Sequence, residues 1–386
     1  MVSRKKSLAL FCAAGALVSA LTALYGPFHW GEPRDGRNDF RAFYAGGRLA
    51  GTSRLYVPEA IYRVQEAETT PWGPADLETK RALVFIRLPW FALFLKPISL
   101  LPYLAAYRLW LALMLAALGV FLLLWDGDWR VKGPAVCCCL PAFRGIFSGQ
   151  DVTLVLMWLG LSLYLWRRNR PFLAGLVLAL CTAKFHLMIL VPLVLLAQKR
   201  WRYTAGLAAG GALLFAASCL GMGWRWPHEF LRAIQDPRIN AAPSRMPNLH
   251  LLAHGSLFIE LLLAMTVALS VWSFARRSDS LEWGIALAFA GGVILAVHND
   301  MQDCCLMLPA ILLVAQRAAG WAAMLAIALA SPVPWFWLLW QPPFPDATRG
   351  MLLLFVLSAA FSLRADWTRE IPAAVPGAGE PRRMIA

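Results

Sequence analysis

The apolar run YLAAYRLWLALMLAALGVFLLLW, residues 103–125, carries a single charged side chain, Arg108. A helix needs about 20 consecutive, mainly apolar residues to cross the hydrocarbon core of a bilayer. This run is long enough to span a membrane, so it predicts that the chain is an integral membrane protein.

The composition of the whole chain supports this prediction. Its residues are 59% hydrophobic and 15% charged, whereas soluble domains average about 25% charged residues. The net charge of +14 comes largely from short basic clusters between apolar runs, which is typical of cytoplasmic loops. The pattern argues against nucleic acid as a partner and favours one membrane domain over several soluble ones.

Apolar runs alternate with polar breaks along the chain, so we expect an all-α membrane protein with about twelve transmembrane helices. The predicted crossings are residues 7–25, 103–125, 133–147, 152–166, 171–183, 187–197, 203–221, 257–275, 281–297, 303–316, 320–340 and 349–364. Leu83 to Pro102 is apolar but interrupted by charged residues and prolines. That segment predicts a re-entrant or interfacial hairpin.

Basic loops set the predicted orientation, since short loops rich in Lys and Arg stay in the cytoplasm. The predicted cytoplasmic clusters are Arg4-Lys5-Lys6, Arg130 with Lys132, Arg167 to Arg170, Lys199 to Arg202, Arg276-Arg277, Arg317 and the tail with Arg364, Arg369, Arg382 and Arg383. Both termini are then cytoplasmic. The start of the chain also fits a signal peptide, but its apolar run is long for one and favours a retained helix.

These assignments divide the chain into predicted regions. The membrane domain covers residues 1–366, and a disordered cytoplasmic tail covers residues 367–386. Within the membrane domain, residues 26–102 form the first exported loop with its hairpin, and residues 222–256 form the second exported loop.

Residues 171–197 are long enough for one helix, but a single crossing would put Arg167–Arg170 and Lys199–Arg202 on opposite sides. Two short segments that meet at residues 182–186 keep both clusters in the cytoplasm. Interrupted helices are tolerated in a membrane where they line a cavity. The break therefore predicts a site.

Ionisable residues near the membrane are the first functional candidates. Asp39, soon after the first helix, is placed to take a proton from a sugar hydroxyl; alternatively it is a solvated loop residue paired with Arg37 or Arg41. Lys184 at the predicted break needs an anion such as a phosphate, unless its side chain extends to the interface.

Further polar residues lie at predicted exported ends. Arg87 and Arg144 are candidates to hold a phosphate or pyrophosphate. His298-Asn-Asp-Met-Gln-Asp303 offers groups that orient a hydroxyl, relay a proton or bind a metal, although no spacing is diagnostic of a metal and a polar turn is an equal alternative. The chain lacks nucleotide-binding and serine-hydrolase motifs, and we expect no metal or cofactor.

The chain resembles glycosyltransferase family 87, the polyprenyl-phosphate-mannose-dependent mannosyltransferases of the GT-C superfamily. The segments that carry the resemblance are Asn38-Asp39-Phe40 and Tyr44 to Arg48, Leu55-Tyr56-x-Pro58, Arg87 to Pro97 with Leu101-Pro102 and Trp110, Gly149-Gln150, Leu173-Ala174-Gly175, Lys184, and His298 with Asp303-x-x-Leu306. They span roughly residues 35–310. Family members often have Tyr-Pro-Pro where this chain has Arg87-Leu88-Pro89.

The resemblance implies a lipid-linked sugar donor that is used on the non-cytoplasmic face of the bacterial inner membrane. Asp39 is then the general base, Lys184 lies near the donor phosphate, and His298 and Asp303 belong to the late polar motif around the cavity. Arg144 and Arg87 join Lys184 as phosphate candidates because of their predicted position near the exported face. The predicted pocket residues are His298, Asp303, His186, Gln150 and Tyr44.

The predicted function is transfer of a sugar, mannose by the resemblance, from a polyprenyl-phosphate donor to a lipid-linked or glycan acceptor, with inversion. A secondary transporter or flippase of a lipid-linked substrate is the alternative, because broken helices and buried charges suit one equally. A polymerase or ligase of lipid-linked glycans would share the chemistry.

Overall fold

A computed structural model describes residues 2–25, 36, 38–69, 83–235, 243–317, 320–339 and 344–367. In that part of the chain the structure is helical and has no strand. The predictions for Arg37, for parts of the two exported loops and for the tail from residue 368 concern residues outside this description. The side chains of Arg4 and Lys5 lie outside it as well.

The helices, numbered in chain order, are α1 (Val2–Tyr25), α2 (Phe40–Leu49), α3 (Pro58–Thr69), α4 (Pro89–Ser99), α5 (Tyr103–Leu124), α6 (Trp129–Cys137), α7 (Leu140–Phe147), α8 (Val152–Arg167), α9 (Pro171–Leu178), α10 (Val191–Gln198), α11 (Trp201–Met222), α12 (Trp226–Ile234), α13 (Leu249–Leu252), α14 (Leu257–Arg277), α15 (Leu281–Leu295), α16 (Leu308–Arg317), α17 (Trp321–Ala330), α18 (Val333–Leu339) and α19 (Phe344–Trp367). Short 3₁₀ helices cover Ala179–Met188, Pro243–Arg245 and Met301–Met307.

Six of the described helices are long and apolar enough to cross a membrane: Lys6–Leu24, Tyr103–Leu124, Pro171–Met188, Trp201–Met222, Leu257–Arg277 and Phe344–Phe361. A seventh candidate is the pair α17 and α18, bent by 67°. These helices support the prediction of an integral membrane protein. The count of twelve crossings stays a prediction.

Several predicted crossings are shorter or more broken than continuous spans. Residues 133–147 divide into α6 and α7 around Cys138, because Pro141 has no N–H to donate to the carbonyl of Cys137 and so ends the helix. The α8 helix is continuous, but its 16 residues reach only about 24 Å.

The predicted break in residues 171–197 is present. Lys184 has non-helical backbone angles, φ −123° and ψ 59°, inside the 3₁₀ segment. A Cβ on Gly206 would meet the carbonyl oxygen of Phe172, and one on Gly210 would meet that of Leu176, so α9 and α11 lie side by side and run in the same direction. The chain therefore returns between residues 184 and 198, where the break allows it.

The loops predicted to be cytoplasmic gather at one end of the helices. The Arg200 guanidinium lies 5.3 Å from the ring of Trp166, and Arg167 Nη2 lies 3.4 Å from Glu282 Oε1. Gln198 Nε2 donates to the carbonyl of Ser278 at 2.9 Å. The two basic clusters that flank residues 171–197 thus lie together. That this end faces the cytoplasm stays a prediction.

The predicted hairpin, residues 83–102, consists of a non-helical stretch followed by the single helix α4. The N–H of Trp90 donates to Ser218 Oγ at 3.1 Å, and Lys96 Nζ donates to the carbonyl of Ala50 at 3.1 Å. These bonds hold α4 against the end of α11 and the end of α2. Its placement at a membrane interface stays a prediction.

We expect Gly206→Ala to destabilise the protein, because the new Cβ would lie 1.9 Å from the carbonyl oxygen of Phe172. Overpacking of this kind costs about 1–3 kcal/mol. Gly211→Ala in the same helix is the matched control, since its Cβ would meet nothing within 4 Å. Thermal unfolding in detergent measures both variants. Equal midpoints would contradict the close contact between α9 and α11.

Candidate functional site

A cavity of about 270 Å³ lies at the end of the helices where the predicted exported segments meet. It brings together seven of the nine residues that the sequence predicted for the site: Asp39, Arg87, Gln150, Lys184, His186, His298 and Asp303. Asp39 and Lys184 thus line the same cavity, although 145 positions separate them in the sequence.

A tight loop between α7 and α8 positions Asp39. Gly149 in this loop has φ +75°, and a Cβ there would lie 2.7 Å from Asn38 Oδ1, so the loop requires glycine. The N–H of Asp39 donates to the carbonyl of Ser148 at 3.1 Å. Asn38 Nδ2 donates to the carbonyl of Phe147 at 2.9 Å. These bonds clamp the start of α2 onto the loop.

The clamp brings Asp39 to Gln150. Gln150 Nε2 donates to Asp39 Oδ2 at 2.7 Å. On its other side, Gln150 Oε1 accepts from Arg87 Nη2 at 3.2 Å and from Lys184 Nζ at 3.5 Å. One amide therefore joins the acid to both cations.

Arg87 and Lys184 are buried and paired with carboxylates. Arg87 donates to Asp151 from Nε at 2.8 Å and from Nη2 at 3.0 Å. Lys184 Nζ lies 2.5 Å from Asp303 Oδ1 and 3.5 Å from Asp151 Oδ1. We call these four residues the ion cluster. Only 3% of Lys184 is exposed, so its side chain does not extend to the interface.

The polar turn after α15 aims Asp303 at Lys184. The N–H of Asp300 donates to Asp303 Oδ2 at 3.0 Å, and the N–H of Met301 donates to Asp300 Oδ1 at 2.6 Å. This capping box begins the 3₁₀ helix and leaves Asp303 Oδ1 for the lysine. The segment is therefore a polar turn and also part of the cavity wall, so the two alternatives that the sequence left open do not exclude each other.

The carboxyls of the cavity titrate differently. Burial raises the pKa of Asp39, and the hydrogen bond from Gln150 and the charges of Arg144, Lys184 and Arg87 only partly oppose this. Asp151 is also buried, but Arg87 and Lys184 hold its pKa below the ordinary 3.8. Burial also acts to raise the pKa of Asp303, but the charge of Lys184 and the hydrogen bonds from Lys184 and from the N–H of Asp300 contribute to holding it below 3.8.

These directions separate the acids into two kinds. Asp151 and Asp303 stay ionised at neutral pH, and the stability that their pairs contribute is lost only as the pH falls below the ordinary carboxyl range. Asp39, with its raised pKa, is the stronger base when it is ionised.

Two histidines line the cavity wall beside the ion cluster. The rings of His186 and His298 are 6.4 Å apart. Burial lowers the pKa of His298 to about 4, against the opposing charge of Asp303. His298 is therefore neutral at physiological pH, and its ring can both donate and accept a hydrogen bond.

Two predicted site residues do not line the cavity. The hydroxyl of Tyr44 has one hydrogen, and two acceptors lie within hydrogen-bond distance of it: Glu68 Oε2 at 3.1 Å and the carbonyl of Leu101 at 2.9 Å. Arg144 lies in α7, close enough for its charge to lower the pKa of Asp39. Its influence on the site is electrostatic.

Sequence reasoning did not single out Asp151, Asn299 or Gln302. Asp151 had a usable signal, because Arg87 in an apolar segment needs a carboxylate partner and Asp151 stands where an apolar helix begins. No pattern in the neighbouring sequence distinguished Asn299 or Gln302 from the other residues of the polar turn.

We expect Asp151→Asn to lower the free energy of unfolding by about 3–5 kcal/mol, because it leaves Arg87 buried without its carboxylate. Thermal and denaturant unfolding in detergent measure the change. Asp126→Asn is the control, since Asp126 has an 86% exposed side chain and lies 4.0 Å from Arg167. If Asp151→Asn lowers the free energy of unfolding no more than the control does, the Arg87–Asp151 pair does not stabilise the fold as we expect.

Comparison with known proteins identifies the family. The family model for glycosyltransferase family 87 matches residues 85–298, more than half of the chain. The matched region contains Arg87, Gln150, Asp151, Lys184 and His298, whereas Asp39 and Asp303 lie outside it. No curated protein and no solved structure matches the chain. Since the family model covers the greater part of the sequence, this chain belongs to glycosyltransferase family 87.

Proposed function

We propose that the protein is a GT-C-type hexosyltransferase that transfers a sugar from a polyprenyl-phosphate donor to a lipid-linked or glycan acceptor. The transferred sugar is mannose, which rests on the family resemblance. The observation that carries the proposal is one cavity in which Gln150 joins a half-buried acid, Asp39, to two buried cations. Glycosyl transfer to a hydroxyl from a phosphate leaving group uses both a base and cations.

Asp39 acts as the general base in this proposal. Its carboxylate takes the proton of the acceptor hydroxyl while the oxygen forms a bond to the anomeric carbon of the donor. The raised pKa of Asp39 supports this role, because a base works best when its pKa lies near the working pH. General-base catalysis contributes about 10²–10⁴-fold.

Arg87 and Lys184 stabilise the leaving group. As the bond between the anomeric carbon and the phosphate oxygen breaks, its electron pair stays on the polyprenyl phosphate. Asp151 and Asp303 hold the two cations in place before the substrate arrives, so little reorganisation is needed during reaction. Among the described residues, Arg87 Nη1 has no hydrogen-bond partner, and it is the donor we assign to the phosphate.

The direction of attack sets the stereochemistry. If the base and the phosphate-binding cations lie on opposite faces of the anomeric carbon, a single displacement inverts its configuration. Direct attack needs no covalent sugar–enzyme intermediate and hence no second nucleophile.

The membrane setting suits a lipid-linked donor. The predicted exported loops carry the cavity, and the described part of the chain has six helices long and apolar enough to cross a membrane. A polyprenyl chain can then remain in the bilayer while its phosphate reaches the ion cluster. Membership of a glycosyltransferase family does not favour the transporter or flippase alternative.

We expect Asp39→Asn to reduce sugar transfer at least about 100-fold, because an amide cannot accept the acceptor proton. Donor binding should remain, since the ion cluster is unchanged. The assay uses detergent-solubilised protein with labelled polyprenyl-phosphate mannose. Asp128→Asn is the control, as Asp128 is an exposed helix cap that does not line the cavity, and asparagine also caps helices. Full transfer by Asp39→Asn would remove Asp39 as the base.

We expect the acid limb of the pH profile of kcat/KM to lie above the ordinary carboxyl value of 3.8, since burial raises the pKa of Asp39. Activity falls as the pH drops through this pKa because the base becomes protonated. Arg144→Gln should move the limb to higher pH, because the charge of Arg144 lowers that pKa. A limb that stays in place in this variant would show that another group controls the profile.

A further inference from the structure

Two amide side chains in the cavity wall have no part in the proposed acid–base and phosphate chemistry. Asn299 and Gln302 both line the cavity, and they are 1% and 3% exposed. Asn299 Oδ1 and Gln302 Oε1 are buried without a hydrogen-bond partner in the described part of the chain. Buried polar atoms in proteins are nearly always paired. Other buried polar atoms in the described residues also lack a partner, but only these two oxygens belong to residues that line the cavity, so a ligand in the cavity can pair with them.

The surroundings of the two amides favour hydroxyl groups as that ligand. Asn299 Nδ2 donates to the carbonyl of Val293, which fixes the amide and leaves its oxygen as an acceptor. A phosphate is excluded as the partner of this oxygen, because an ionised phosphate has no hydrogen to donate. A sugar hydroxyl both donates and accepts, as an amide side chain does.

The position of Gln302 allows it to reach a ligand. Its Cβ lies 3.3 Å from the position of a Cβ on Gly145, so the stem of the side chain is held against α7. The terminal torsion of glutamine has a broad energy profile, which lets the amide rotate toward the cavity. Gln302 also lines the same cavity as Arg87 and Lys184, which form the proposed phosphate site.

We propose that Asn299 and Gln302 recognise hydroxyl groups of the transferred hexose and so contribute to sugar specificity. This inference rests on the proposed function for the identity of the donor. The ion cluster then binds the phosphate and the amides bind the sugar attached to it.

The test compares two ligands of equal lipid length: a short-chain polyprenyl-phosphate mannose and the same polyprenyl phosphate without sugar. Binding to the full chain in detergent is measured by calorimetry. Gln302→Leu should weaken binding of the sugar-bearing ligand about tenfold and leave binding of the lipid phosphate unchanged. Gln316→Leu should change neither, because Gln316 is a partly buried amide beside Gly127 that does not line the cavity.

A second measurement separates direct contact from a change in cavity shape. Wild-type protein should bind one monodeoxy-mannose donor more weakly than the parent donor, and Gln302→Leu should bind those two ligands equally. Asn299→Leu is measured with the same ligands, and we expect it too to bind one deoxy donor and the parent donor equally. Two results would overturn the inference. In the first, both variants weaken binding of the sugar-free lipid phosphate as strongly as binding of the sugar-bearing ligand. In the second, every deoxy donor still binds the variants more weakly than the parent donor does, so the amides hold only water or structure.

The outcomes also distinguish this inference from the proposed function. Sugar-dependent binding that needs Gln302, without transfer by the wild-type protein, would refute the transferase and keep the amide site. Transfer by the wild-type protein with full discrimination between sugar-bearing and sugar-free ligands in both amide variants would refute the amide site and keep the transferase.

Discussion

The ion cluster is the constraint on which the rest of the structure depends. Removing a charge from water costs several kcal/mol unless a partner compensates it, and all four members of the cluster are nearly inaccessible. Arg87, Asp151, Lys184 and Asp303 come from four distant segments, so those segments must meet for any of the charges to be buried. The non-helical backbone at Lys184 follows from this requirement, since a continuous helix would carry the chain past the cavity.

Local signals in the sequence were sufficient to predict a membrane protein. They also predicted that the two basic clusters flanking residues 171–197 lie at the same end of the helices. Apolar runs predicted membrane helices because each span must satisfy its own backbone hydrogen bonds. The basic clusters on either side of residues 171–197 predicted the break, and the contact of Arg200 with Trp166 places both clusters at one end. Asp39 was singled out because it is an acid in the first predicted exported loop, and it lines the cavity; its role as a base stays a prediction.

Tertiary partners were beyond the reach of the sequence. The sequence shows that Arg87 needs a carboxylate and that Asp151 is one candidate, but it does not select Asp151, because the pair forms only when the loop after α7 meets the segment before α4. Tyr44 was misplaced for the same reason: its hydroxyl bonds to Glu68 and Leu101, and the sequence alone does not give this packing. Short helices such as α7 also follow from single prolines, whose effect a hydropathy pattern does not show.

Gln150 lies between the acid that loses a negative charge in the proposed reaction and the cations beside the phosphate that gains one. In the proposed reaction Asp39 loses its negative charge when it takes the acceptor proton, while the phosphate changes from a singly charged diester to a doubly charged monoester. Negative charge thus shifts from the Nε2 side of this amide toward the cations on its Oε1 side, and the sum over the cavity stays constant. A site bordered by lipid can then complete the transfer without admitting a counter-ion from the surrounding electrolyte.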